Sequence, residues 1–244
     1  MTTRFKHRIL TLAVPVMVAL CVTQPAFAAL QLLNNGDFET GTFADWTVTN
    51  QAGGSGSFFI DTPGTTTPLS GFSTSAAGGG AHGNWYAVSD QTGPGTHALT
   101  QSFTVAPGSG AEILSFDMFV NNSDGGPFCA PGLTYTGGTV ECGRVDILTG
   151  AATAFDTGAG VLGNFYLGSD AGGNPHPFTH YTFDITSLVG AGGTFQVRFA
   201  EADNQGFFNL GVDNVSITAV PEPATLALLG LGLAGLAASR RRKR

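Results

Sequence analysis

Apolar side chains in this sequence recur at every second position, and no stretch sustains the three-to-four spacing of a helix. Leu114, Phe116, Met118 and Val120 alternate with Ser115, Asp117 and Phe119, and Tyr181, Phe183 and Ile185 alternate with Thr182, Asp184 and Thr186. The same beat runs through Trp46 and Val48, through Phe195, Val197 and Phe199 around Gln196 and Arg198, and through Val215 and Ile217 among Asn214, Ser216 and Thr218. Successive side chains of a strand leave on opposite faces, so each segment offers one apolar face and one polar face. Two sheets stacked apolar to apolar make a sandwich. Between the strands lie "QAGGSGS", "AAGGGAHG", "TGPG", "APGSG", "NSDGGP", "DAGGNP" and "VGAGG", which read as turns and loops. The pattern predicts one all-β domain over residues 29–219, with roughly nine or ten strands and long loops. Residues 61–84, poor in apolar anchors, read as a long surface loop or a pair of weak edge strands.

The domain limits come from the two ends, which read as addresses. Arg4, Lys6 and Arg8 precede an apolar run from Ile9 to Val22, followed by Ala26 and Ala28 around Phe27. A basic start, an apolar stretch and an A-x-A site form a secretory signal peptide over residues 1–28. The run falls short of the about 20 residues that a membrane span needs. Between the ends, sixteen acidic side chains face two basic ones, Arg144 and Arg198, a formal charge of −14. Such a surface repels phosphate, which excludes nucleic acid as a partner. It suits cations, although solubility alone also accounts for it. Signal cleavage leaves Cys129 and Cys142, and an exported location permits their oxidation. A metal pair would need further soft ligands, and none are visible, so the two read as a disulfide. The segment between them, with Gly137-Gly138 at its turn and Val140 in a return strand, predicts a hairpin.

The domain opens with "LLNNGDFETGTFADW" and closes with "FFNLGVDNVSITAV". These stretches resemble those of the galactose-binding-like jelly roll shared by many bacterial carbohydrate-binding modules. The resemblance implies a jelly-roll-type β-sandwich. It also implies one structural calcium ion between the first and last strands, with Glu39 and Asp213 as carboxylate ligands and backbone carbonyls completing the shell. The alternative is that both are solvated strand-end carboxylates. Asp203 reads as a loop residue bonding its own backbone. Sugar-binding relatives stack exposed aromatic rings on the sugar, and Trp46, Trp85, Tyr86 and Tyr135 are the candidates here. Trp46 alternates with threonines and is expected in the core. Trp85 and Tyr86 fall on opposite faces of a strand, so at most one of them points outward. His176 and His180 lie beside Pro175 and Pro177, which exclude a regular helix, and read as loop residues. No nucleophile, zinc or phosphate-loop motif is present, and no catalytic role is expected.

After the last strand come Pro221, Glu222 and Pro223, an apolar run from Thr225 to Ala238, and the basic cluster Arg240, Arg241, Arg242, Lys243 and Arg244. The apolar run is near the lower limit for a membrane helix, and the basic cluster would stay cytoplasmic. This order over residues 220–244 resembles the tripartite signal of the PEP-CTERM protein-sorting family. The resemblance implies recognition by an exosortase near Pro221-Glu222-Pro223, a transient membrane stage, and delivery of the domain to the cell envelope, surface or extracellular matrix. The expected role is structural or adhesive, in an exopolysaccharide or biofilm setting. Recognition of a specific polysaccharide is the alternative.

Overall fold

The computed structural model describes residues 29–72, 83–123, 128–129, 132–169, 174–220 and 232–233. Within them are eleven strands and one short helix. The strands are β1 (Leu30–Gln31), β2 (Thr47–Asn50), β3 (Ser57–Asp61), β4 (Tyr86–Asp90), β5 (Gly95–Val105), β6 (Ala111–Asn122), β7 (Glu141–Thr149), β8 (Val161–Gly168), β9 (Thr179–Asp184), β10 (Gly193–Asp203) and β11 (Phe208–Val220); helix α1 (Thr186–Val189) links β9 to β10. One sheet runs β3-β4-β11-β6-β9, with β1 added along β11, and the second runs β2-β5-β10-β7-β8. All pairings are antiparallel. From β4 to β7 and again from β8 to β11 the chain changes sheet at every step, as a jelly-roll-type β-sandwich requires.

Alternation decides which side chains fill the sandwich. Leu114, Phe116, Met118 and Val120 of β6 meet Val197 and Phe199 of β10 and Leu210, Val212 and Ile217 of β11 in one continuous core. Each of these burials is worth roughly 1.5–3 kcal/mol. Trp46 joins them, its ring 5.4 Å from Phe38 and 6.2 Å from Phe199.

The outer faces hold three departures from the sequence reading. Phe119 falls on the expected polar face of β6, yet it is buried there with Tyr86 and Phe178. It lies flat across Gly211, where a Cβ would sit 2.0 Å from its ring. Arg198 also falls on a polar face and is fully buried, donating to Asp146 at 2.6 and 3.0 Å and to the Ala154 and Asp156 carbonyls at 2.9 and 2.7 Å. It thereby straps the loop after β7 onto the second sheet. The expected hairpin between Cys129 and Cys142 is not formed among its described residues. A single bridge, Phe128 to Glu141, remains beside the disulfide. The carbonyls of Tyr135 and Gly138 are taken by the Asn204 side chain, so they are not offered to a partner strand. Of residues 61–84, the described part before Gly71 is turns held by Asp61 and Asp90. The signal segment and the sorting tail, with its basic cluster, lie outside the described residues apart from Val220, Gly232 and Leu233. Among the described residues, no helix is long and apolar enough to cross a membrane.

Candidate functional site

The opening motif folds as a loop that docks on the last strand. Asn35 adopts a left-handed backbone (φ 47°). Its amide donates to the Thr42 and Ala44 carbonyls, closing the loop on itself. Gly36 passes so close to β11 that a Cβ would lie 1.9 Å from the Val215 carbonyl oxygen, and its own carbonyl accepts the Val215 N–H at 2.8 Å. Phe38 is the buried anchor, and Asp37 and Glu39 flank it. The dock falls where β11 is interrupted: its register on β6 shifts between Asp213 and Ser216, and Asn214 is left-handed (φ 50°). Val212 pairs with β4 on one side of this bulge, and Thr218 pairs with β1 on the other.

The bulge holds an acidic centre. Asp213 is fully buried on the outer face of its sheet, directly across the ladder from Asp117. Asp117 accepts from the Asn214 amide at 2.8 Å and meets the His180 ring at 2.7 Å. His180 is therefore a strand residue of β9 in an acidic row, and His176 sits apart against the Val120 carbonyl. Burial raises the Asp213 carboxyl to about 8; the Asn214 N–H works against this, while Asp117, Glu39 and Asp37 raise it further. Glu39, exposed, accepts from the Asn84 N–H, the Asn84 amide and the Trp85 N–H at 2.7, 3.0 and 3.0 Å. The Trp85 N–H and the two Asn84 donors hold its pKa below the ordinary carboxylate value. The structure thus brings Glu39 and Asp213 into one electrostatic neighbourhood and ties Glu39 to the entrance of β4. A groove of about 320 Å³, lined by Asn35, Asp37, Asn214 and Ser216 among others, opens beside them. The carboxylate, amide and hydroxyl oxygens of Asp37, Asn35, Asn214 and Ser216 along this groove are of the kind calcium prefers. Among the described residues, however, no three His, Cys, Asp or Glu side chains are grouped as a metal cage.

The four aromatic candidates separate cleanly. Tyr86 is fully buried between Phe119 and Phe178, at 5.9 and 5.6 Å, and offers no ring face to a ligand. Trp85 is 39% exposed and covers Gly41. Tyr135 lies over Gly53 and Gly54, its hydroxyl donating to the Ala52 carbonyl at 3.0 Å, and Trp46 is in the core. Sequence reasoning missed a second aromatic pair. Phe72 and Phe207 stack at 3.5 Å on a concavity of about 460 Å³ at the start of β11. They lie in loops without periodicity. The doublet Phe207-Phe208 carried the one usable signal, because two adjacent rings at a strand entrance cannot both face inward.

The PEP-CTERM protein-sorting motif matches residues 219–243. The chain therefore carries this sorting signal, and the match begins on the last residues of β11. No curated protein matches the chain. Solved structures similar to it include TmCBM61 in complex with beta-1,4-galactotriose (10% identity, 77% of this chain and 97% of that one, TM-score 0.45). Another is the K3 cleaved adhesin domain of Lys-gingipain from Porphyromonas gingivalis (17% identity, 78% and 99% covered, TM-score 0.44). A third is a family 11 carbohydrate-binding module from Clostridium thermocellum with a mixed-linked tetrasaccharide (14% identity, 80% and 98% covered, TM-score 0.39). The sandwich assignment itself rests on the strand pairing described above.

Proposed function

We propose that this chain is an exported envelope protein which an exosortase sorts through its C-terminal tail, and that its β-sandwich has a structural or adhesive role in an extracellular polysaccharide matrix. The observation that carries the reading is the sorting motif at 219–243, joined without a linker to the strand that ends at Val220. The disulfide between Cys129 and Cys142 supports an oxidising destination. We assign the domain no catalytic step. A structural calcium ion at the acidic centre belongs to the same reading, with Asp213 and Glu39 as carboxylate donors. Because no three His, Cys, Asp or Glu side chains among the described residues are placed to hold an ion together, amide and backbone oxygens would complete its shell.

Fractionation of cells expressing the chain with and without residues 220–244 tests the sorting. The full chain is expected in the envelope or medium with a new C-terminus by mass spectrometry, and the truncated chain is expected to lose its surface attachment. Exported protein that still ends at Arg244, or identical distribution of the two forms, overturns it.

A further inference from the structure

We infer that the concavity at the Phe72–Phe207 end of the sandwich is a binding site for neutral sugar residues of a polysaccharide, with a pyranose ring lying against these aromatic side chains. The inference rests on the proposed matrix role only in naming the ligand class, and it can be tested apart from sorting.

The cavity, about 460 Å³, falls within the ~300–1,000 Å³ of small-molecule sites. Leu69, Phe72 and Phe207 make its apolar wall, and Ser70, Gln91, Thr92 and Ser123 its polar one. Phe72 is 40% and Leu69 44% exposed, large apolar surface left open to solvent. Among the described residues, no charged side chain lines the cavity, on a domain whose formal charge is −14. An anionic ligand would meet the repulsion of that charge, and a purely apolar one would strip water from the exposed hydroxyl groups of the polar wall without replacing it. A neutral sugar matches both walls: its C–H face packs on aromatic rings, and its hydroxyl groups exchange hydrogen bonds with Ser and Thr side chains.

The walls are braced from behind by buried carboxylates that do not themselves line the cavity. Asp90 accepts from the Leu69 and Ser70 N–H groups at 2.5 and 3.0 Å, from the Ser70 hydroxyl at 2.5 Å and from the Asn209 amide at 3.2 Å. Asp203 accepts from the Gln91 amide at 2.7 Å and from the Gln205 N–H at 2.8 Å, which fixes both Gln91 and the turn carrying Phe207. The local bond to Gln205 is the kind expected of Asp203 from sequence. His97 meets the other end of the Gln91 amide at 3.0 Å. Ser123 holds Phe207 from the third side, its hydroxyl accepting the Phe207 N–H at 2.8 Å. Walls fixed before a ligand arrives lower the ordering cost of binding. Position suits the role as well. Phe207 precedes β11, which runs for 13 residues to the sorting signal, so the cavity stands about 40 Å from the point of attachment.

The test uses the mature protein purified as exported, with isothermal titration and saturation-transfer NMR against cellotetraose, maltotetraose and galactotetraose. Oligogalacturonate of equal length is the anionic control. At least one neutral tetrasaccharide is expected to bind. Phe72→Ala should weaken it about tenfold, Thr92→Trp, which fills the mouth, should abolish it, and both variants should keep the native melting temperature. The inference is overturned if no neutral tetrasaccharide binds, if both variants bind like the native protein, or if oligogalacturonate binds as well. Sugar binding with failed surface delivery would instead remove the sorting proposal and leave this one standing.

Discussion

Asp146 and Asp213 are both fully buried, on the outer faces of opposite sheets, and their surroundings differ completely. Asp146 receives Arg198 at 2.6 Å, Arg144 at 2.7 Å and the Asn164 amide at 2.9 Å. These are both basic side chains of the domain. Asp213 has Asp117, Glu39 and Asp37 for neighbours instead. A domain with sixteen carboxylates and two cations has spent both cations on one carboxylate. Burial, with these carboxylates around it, favours the protonated form of the other. One carboxylate is a strap, and the other is held toward its neutral form by burial.

Four experiments separate the two. Asp146→Ala leaves Arg198 buried without its carboxylate and should cost roughly 3–5 kcal/mol, measured by urea unfolding. A loss below about 1 kcal/mol would reduce the strap to a surface pair. On the same face of β7, the double replacement Cys129→Ser with Cys142→Ser opens a loop with sequence separation 13. It should lower stability by about 3 kcal/mol, seen as a lower thermal midpoint.

Asp213 predicts a pH signature of defined sign. Its carboxyl is raised from 3.8 to about 8, so its favourable contribution is complete below pH 3.8 and is lost as pH rises toward 8. Asp213→Asn should therefore match the native protein near pH 4 and exceed it at pH 9, by on the order of 2 kcal/mol, in calcium-free buffer. Equal stability at both pH values would break the contrast with Asp146. Calcium gives the smallest effect. If it completes the acidic centre, calorimetry of the chelated protein should show a stabilisation of about 1.4 kcal/mol at ten times Kd. It should also remove the alkaline loss, because the ion displaces the proton from Asp213. An unchanged melting temperature would count against calcium at this centre.

Much of the architecture was legible because periodicity is local. Leu114, Phe116, Met118 and Val120 announced both a strand and its inner face, and the parity of Trp85 and Tyr86 announced that they would part. What was not legible depends on segments far apart in sequence. Phe119 is buried because Phe178, 59 positions later, arrives over it. Arg198 is buried because the loop carrying Ala154 and Asp156 folds back on it. The segment from Cys129 to Cys142 looked like a hairpin because its turn residues are real. Asn204, outside the segment, supplies the hydrogen bonds that a second strand would have supplied. Along β11, the motif around Asp37 and Glu39 gave the acidic centre at its bulge by resemblance, whereas Phe72 and Phe207, at its start, meet only through tertiary folding.

The position of β11 has a mechanical consequence. It is flanked by β6 along one side and by β4 and β1 along the other, and the sorting signal leaves from its end. Tension applied at Val220 would run along the strand and across its ladders, loading many hydrogen bonds together in shear. The same pull on an edge strand could peel them singly. Single-molecule extension from the C-terminal end should thus meet high resistance, and a low unfolding force would show that β11 does not bear the load.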